Sequence, residues 1–447
     1  MKFVKAKLIS TSCGLVLFTV AAMLSRTIQA QTNYYWSTPV GALLDGGSPQ
    51  GVAVDGAGNL FIADANNHVI LEVALSGTNW IVTTIAGVAG NSGASDGTNS
   101  DARFDNPGGL AVDGAGNLFI ADSGNNVIRE AIPSGTNWVV TTIAGAVSSL
   151  GGSNDGTNDS AQFAFPVGIA ADSAGNLFVG DNGNVTIRKI THSGTNWITT
   201  TIAGTAGVAG YFDGTNGDAQ FNYPLGVAVD AADNVYVADA GNNDIRKVSP
   251  SGINWITTTI GGQPLDPAGS NGSSDGLADA SQFWLPVGVA VDAGGNIYVA
   301  DQRNSTIRKI TPTGSDWNTV TIGGLAGDYG YADGADADAA FGSPSGVAVD
   351  AGGIVYATDS GNDDLRLGFV FPLLQFNLTG DQLNFSYAIP SGVSVDLTLQ
   401  STTDLSDNDW PDFTDQWQTD SNGVFHTSLA LPNDVPNAFF RLAPPSP

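Results

Sequence analysis

Apolar and polar positions alternate in short runs from residue 49 onward, and the runs come in sets of four. In the first set they are Gly51–Val54, Leu60–Ala63, Val69–Val73 and Trp80–Ile85. We call these strands a, b, c and d. They are separated by turn-forming stretches: Asp55-Gly-Ala-Gly-Asn59, Asp64-Ala-Asn-Asn67 and Ser76-Gly-Thr-Asn79. Glycine and asparagine supply the positive φ that tight hairpins need. No helical period is present.

The set repeats. The aspartate that ends strand a recurs at Asp55, Asp113, Asp172, Asp230, Asp292 and Asp350. The tryptophan that opens strand d recurs at Trp80, Trp138, Trp197, Trp255 and Trp317. Four strands in each of six repeats predict an all-β, six-bladed propeller. The sixth copy has no Trp-containing strand after it. Thr32–Gly41 aligns without gaps to Thr78–Gly87, so the N-terminal strand is expected to supply strand d of the last blade and close the ring. Pro39 is tolerable there as an outer-edge residue.

The repeated segments resemble the NHL repeat family. The residues that carry the resemblance are Pro224-Leu-Gly-Val-Ala-Val-Asp230, Asn234-Val-Tyr-Val-Ala-Asp239, Asn242 and Ile245-Arg246-Lys247. The resemblance implies a six-bladed propeller of a family used mostly for binding, with a minority of enzymes. Some copies depart from the pattern: Leu71 replaces the arginine, Gly180 an alanine and Ile354 an asparagine.

Two further segments flank the expected propeller of residues 31–369. Residues 1–30 read as a signal peptide: Lys2, Lys5 and Lys7, then an apolar stretch, then Ile28-Gln29-Ala30. This places the protein outside the cytoplasm, secreted or at the cell surface or periplasm, in a bacterium. Residues 370–447 alternate with period two and read as a small antiparallel β-sandwich. That segment resembles the short C-terminal β-domains of large exported bacterial repeat proteins. It serves either as a structural cap or for surface attachment.

Composition narrows the function. The chain has 447 residues, with 43 Asp+Glu against 15 Lys+Arg and a formal charge of -28. Such a surface repels nucleic acid and anionic membranes. Cys13, the one cysteine, lies in the signal, so the mature chain has neither disulfides nor cysteine metal sites. After signal removal no membrane-spanning segment is expected, and a monomer is expected.

Strands of a blade run alternately up and down, so the b–c turns and the d–a loops share one face. The d–a loops carry Asp96-Gly-Thr-Asn-Ser-Asp101, Asp155-Gly-Thr-Asn-Asp159, Asp213-Gly-Thr-Asn-Gly-Asp218, Asp275-Gly-Leu-Ala-Asp279 and Asp333-Gly-Ala-Asp-Ala-Asp338. The b–c turns add Asp64, Asp122, Asp181, Asp239, Asp301 and Asp359, with Arg303 in the fifth copy where Gly is usual. Two readings stay open. In one, each aspartate caps its own loop. In the other, Asp64, Asp122, Asp181, Asp239, Asp301, Asp359 and Arg303 meet a ligand, and Asp96, Asp101, Asp155, Asp213, Asp218 and Asp333 hold Ca²⁺.

The strand a aspartates read as turn caps. Arg129, Arg188, Arg246, Arg308 and Arg366 on strand c are expected to pair with carboxylates. The tryptophans and Phe104, Phe163, Phe221, Phe283 and Phe341 are expected to pack between blades. His68, His192 and His426 are too few and too dispersed for an imidazole metal site or a serine relay. A lyase like the amidating enzymes of this family needs a histidine cluster that is missing. The function expected is a binding scaffold for a protein, peptide or glycan. The alternative is a Ca²⁺-dependent hydrolase or lyase at the channel mouth.

Overall fold

The structure, a computed structural model, describes residues 4–7, 34–41, 43, 46–77, 79–148, 150–263 and 271–370, and seven strands between residues 375 and 443. Two units divide the chain: residues 33–370, and residues 1–32 with 371–447.

Residues 33–370 form six antiparallel blades. Blade 1 consists of strand a Pro49–Val54, b Leu60–Asp64, c Val69–Ser76 and d Asn79–Gly87. Blades 2 to 5 repeat it, opening on strands Pro107–Val112, Pro166–Ala171, Pro224–Val229 and Pro286–Val291. Blade 6 holds Pro344–Val349, Val355–Asp359 and Asp364–Val370, with Tyr34–Val40 as its strand d. Strands c and d extend past their expected ends, because Ser76 pairs with Asn79 across a two-residue turn. Gly77 sits at φ +66° there, the left-handed conformation such a hairpin requires.

Strand b is buried at every position in all six blades. It therefore reads as a continuous apolar run ending in aspartate. Strand a lines the central channel, where neighbouring backbones nearly touch. A Cβ on Gly168 would lie 2.2 Å from the Leu225 carbonyl of the next blade, and one on Gly346 2.4 Å from that of Gln50. Only glycine allows the ring to draw that tight. Aromatic edges fill the space between blades: Phe61 meets Trp138 at 5.5 Å and Phe119 meets Trp197 at 5.8 Å, both edge to face.

Tyr34–Val40 closes the ring in the register the sequence indicates, with Tyr34 opposite Val370 and Val40 opposite Leu365. Trp36 is fully buried, donates Nε1–H to the Ile322 carbonyl at 2.8 Å and meets Phe341 edge to face. Pro39 falls within the bulge between Ser37 and Val40, where no ladder amide is needed. It is not at a free outer edge, because each of blades 2 to 6 carries a fifth strand. These are two-residue strands of the d–a loops, Gly-Thr in blades 2 to 4: Gly97–Thr98 binds Val139 and Val140, and in blade 6 Gly334–Ala335 binds Tyr35 and Trp36. Each d–a loop thus covers the outer edge of the blade that follows it.

In the second unit, all strand pairs are antiparallel. One sheet orders Val4–Lys7, Asn437–Ala443, Thr398–Thr402 and Asp412–Thr414; the other orders Gln375–Thr379, Gln382–Ala388, Val424–Ala430 and Gln418–Thr419. Residues 8–30 of the expected signal and the turns at 390–392 and 421–423 lie outside the described residues.

Candidate functional site

The face formed by the d–a loops and b–c turns has a buried layer and an exposed one. The buried layer is built on the strand c arginines. Arg129 is completely buried and spans two carboxylates: it donates to Asp122 of its own b–c turn at 2.7 Å and to Asp96 of the preceding d–a loop at 2.9 Å. It also donates to the carbonyls of Arg103 and Ser95, and its guanidinium lies 5.2 Å from the Phe104 ring. Arg188, Arg246 and Arg308 repeat the arrangement with Asp181 and Asp155, Asp239 and Asp213, and Asp301 and Asp275. Arg366 sits 3.2 Å from Asp333 and 3.8 Å from Asp359.

This corrects the expectation of a surface set of carboxylates. Asp64, Asp122, Asp181, Asp239, Asp301 and Asp359 are 0% exposed. As the last residue of strand b, each points beneath its turn and accepts the amide of the loop before it. Asp122 takes the Asp105 amide at 2.8 Å and Asn125 Nδ2 at 2.9 Å. Burial pushes the carboxyls of Asp122, Asp239 and Asp301 up to about 6, against the pull of arginine and amide donors.

Asp96, Asp155, Asp213, Asp275 and Asp333 remain 42–49% exposed, but they bind a strand d threonine as well as the arginine. Asp213, for example, accepts the Thr259 amide and hydroxyl. The asparagine of the same motif completes the cap. Asn99 sits at φ +49°, which asparagine tolerates, and its Oδ1 accepts the Trp138 amide at 2.7 Å. Asp101 and Asp218 are exposed on the short 3₁₀ turns that follow. Among the described residues no three histidine, cysteine or acidic side chains are gathered so as to hold a metal ion. The strand a aspartates cap the opposite turns; Asp55 Oδ1 accepts the amides of Ala57 and Asn59.

The exposed layer was missed by the sequence reading. The residue before the proline of strand a stands at the channel rim. It is Ser48, Asn106, Phe165, Tyr223, Leu285 and Ser343 around the ring. Phe165, Tyr223 and Leu285 hold φ of +48°, +55° and +53°. That is costly for bulky side chains, on the order of 1–3 kcal/mol each. Phe165 is 44% exposed, Tyr223 60% and Trp284, beside Leu285, 39%. Neighbouring blades enforce the strain: Asn126 Oδ1 accepts the Phe165 amide at 2.6 Å and Asn243 Oδ1 the Leu285 amide at 2.8 Å. The signal available in the sequence was variation, since one position of an otherwise regular repeat becomes aromatic in successive blades.

Arg303 is exposed beside this arc. Its amide donates to the Trp284 carbonyl at 3.0 Å, and its own carbonyl accepts the Tyr329 hydroxyl at 3.1 Å. The channel below is lined by glycine, valine, isoleucine and leucine, with Gln50 and Ser345 its polar side chains among the described residues. Acid–base chemistry would therefore have to come from the face rather than from the channel. His68, on this face, accepts the Asn106 amide, whereas His192 meets Trp197 in a tilted ring contact at the other end of its strand.

Similarities to known proteins agree with this architecture. The NHL repeat pattern matches residues 221–248 and 283–310. The chain is 29% identical, over 75% of its length, to Protein SUPPRESSOR OF QUENCHING 1, chloroplastic, of Arabidopsis thaliana, and 26% identical, over 71%, to NHL repeat-containing protein 2 of Bos taurus. It spans 32% and 46% of the length of these curated relatives. A crystal structure of an auxiliary nutrient binding protein from Bacteroides thetaiotaomicron superposes with a TM-score of 0.54 at 14% identity, covering 75% of this chain and 76% of that one. The ring of six blades is thus that of an NHL-repeat propeller, with the NHL repeat pattern itself matched in blades 4 and 5.

Proposed function

We propose that this propeller is a binding scaffold outside the cytoplasm, and that it takes its ligand on the face of the d–a loops and b–c turns. The arc of Phe165, Tyr223 and Trp284 carries the reading. Phe165 and Tyr223 are exposed aromatics held in an unfavourable backbone conformation, and Trp284 is exposed beside the strained Leu285; such an arrangement serves recognition better than packing. The buried arginine layer beneath gives them a rigid base. The ligand is a glycan or a peptide-like chain rather than a polyanion, given the formal charge of -28. A similar fold in a protein described as nutrient binding is consistent with this role.

The test is a glycan and peptide array probed with the parent chain and with Phe165→Ala/Tyr223→Ala/Trp284→Ala. Loss of the captured ligands in the triple variant, at unchanged melting temperature, is expected. Full retention of binding would place the ligand elsewhere.

Export rests on the basic start and apolar run of residues 2–24. The pairing of Val4–Lys7 with Asn437–Phe440 stands against early removal of that segment. N-terminal sequencing of protein recovered outside the cell decides the matter: a start near Gln31 supports export with cleavage, and retention of Val4–Lys7 overturns it. No helix among the described residues is long and apolar enough to cross a membrane.

A further inference from the structure

Arg303 occupies a position that is glycine in four of the six blades: Gly124, Gly183, Gly241 and Gly361. A side chain is hard to place there. A Cβ built on Gly124 or Gly183 would lie 2.7 Å from a carbonyl of the loop before strand a. Blade 5 keeps the same amide hydrogen bond but lengthens it. The bond is 2.8 Å from Gly124, 2.7 Å from Gly183, 2.8 Å from Gly241 and 3.0 Å from Arg303. The bond is longest where the long side chain stands.

That cation is unusual in this chain. The five strand c arginines are buried and ion-paired, and Arg103 bonds to backbone carbonyls. Among the described residues the Arg303 guanidinium has neither an ion pair nor a hydrogen bond, although acidic groups outnumber basic ones by nearly three to one. On either side of its backbone stand Trp284 and Tyr329, the latter 60% exposed.

We infer that Arg303, Trp284 and Tyr329 form a subsite for an acidic sugar residue, a uronate within an otherwise neutral oligosaccharide. The inference rests on the binding face proposed above and names its ligand class. A planar guanidinium grips one carboxylate through two parallel hydrogen bonds. Exposed aromatic side chains beside the cation suit a pyranose ring, whose C–H groups are apolar and whose hydroxyls point outward. One isolated cation on an acidic surface selects for sparse carboxylates and against dense ones. A peptide with a free carboxylate is the competing ligand, and the fold disfavours its binding as an added strand. A peptide strand needs an open sheet edge, yet blade 5 is covered on its outer edge by Gly276–Leu277 and packed on its inner edge against its neighbours.

The experiment is calorimetric titration with three probes. They are an oligosaccharide carrying a single uronate among neutral sugars, the same oligosaccharide after reduction of its carboxyl group to an alcohol, and a short peptide ending in a free carboxylate. Each is titrated into the parent chain, Arg303→Gly and Trp284→Ala. Arg303→Gly installs the residue of four other blades, so folding is retained. The acidic saccharide should bind the parent at least tenfold more tightly than its reduced form, and Arg303→Gly should abolish the difference. Trp284→Ala should weaken both saccharides. Equal binding of the two saccharides by the parent, no binding of the acidic one at millimolar concentration, or preference for the peptide each overturns the subsite. If the aromatic variants lose ligand while Arg303→Gly does not, the acid specificity falls and the binding face stands.

Discussion

Blade 1 and blade 4 have the same four strands and nearly the same core, yet they are held at the rim by different means. In blade 4, Arg246 bridges Asp239 and Asp213, and the loop bearing Asp213 adds a fifth strand through Gly214–Thr215. Blade 1 is preceded by no Asp-Gly-Thr-Asn loop, its sheet has four strands, and Leu71 fills the arginine position. Its Asp64 is satisfied by the Ser48 amide and by Asn67 alone. The arginine, the loop aspartate and the edge strand therefore come and go together. They are one device for fixing a d–a loop over the edge of the next blade, and where no such loop precedes, the device is absent.

Blade 6 is the severest test of that comparison, because its edge loop must hold a strand from the other end of the propeller. Asp333 accepts the Thr38 amide and hydroxyl as well as Arg366, and Asp336 accepts the Tyr34 amide. Deleting residues 31–41 removes the buried Tyr34 and Trp36 together with these bonds. Loss of each large aromatic costs about 3–5 kcal/mol. Thermal unfolding should lose its cooperativity or fall by roughly 10 °C or more. An unchanged midpoint would mean that the ring is closed by other contacts.

The second effect is smaller and bears on the device directly. Arg246→Leu gives blade 4 the residue of blade 1 but leaves three aspartates around it, with Asp239 and Asp244 fully buried and Asp213 half exposed. Removing one partner of a buried pair costs about 3–5 kcal/mol. Most of that should arise at Asp239, since the exposed partner Asp213 is screened by water. Adding Asp239→Asn should recover part of the loss in denaturant melts. If Arg246→Leu alone is neutral, the arginines are packing residues and the comparison fails.

The ring, its closure and the turn caps were legible because each rests on a repeated spacing, and repetition fixes register as well as element type. The arginine–carboxylate pairing was also legible from recurrence. What the sequence did not reveal was depth. Asp122 and Asp96 are both aspartates in polar loops, yet one lies under the turn and the other half in water, and that follows from how far the d–a loop folds back. Nor did it reveal the strained rim. A proline explains why Phe165 and Leu285 end a loop, but their positive φ comes with an amide bond to Asn126 or Asn243 of the neighbouring blade.

The smallest effect concerns the first residue of strand c, which is Val69, Val127, Thr186, Asp244, Thr306 and Asp364 around the ring. Four blades place an uncharged side chain there; blades 4 and 6 bury a carboxyl. Among the described residues neither oxygen of Asp244 has a hydrogen-bond partner, and Oδ1 of Asp364 has none. Burial, with Asp359, Asp333 and Asp363 nearby, pushes the Asp364 carboxyl up to about 7 despite Arg366. The folded chain then holds a proton that the unfolded chain, at an ordinary value near 4, has released. Its contribution to stability is full below about pH 4 and is lost as pH rises toward 7. Asp364→Val should remove that slope. The variant should exceed the parent at pH 8 by on the order of 1–3 kcal/mol, and the advantage should shrink as the pH is lowered to 4.5. Chemical denaturation at the two pH values measures it. An advantage that is the same at both would show that valine acts by packing alone and that Asp364 carries no proton in the folded blade.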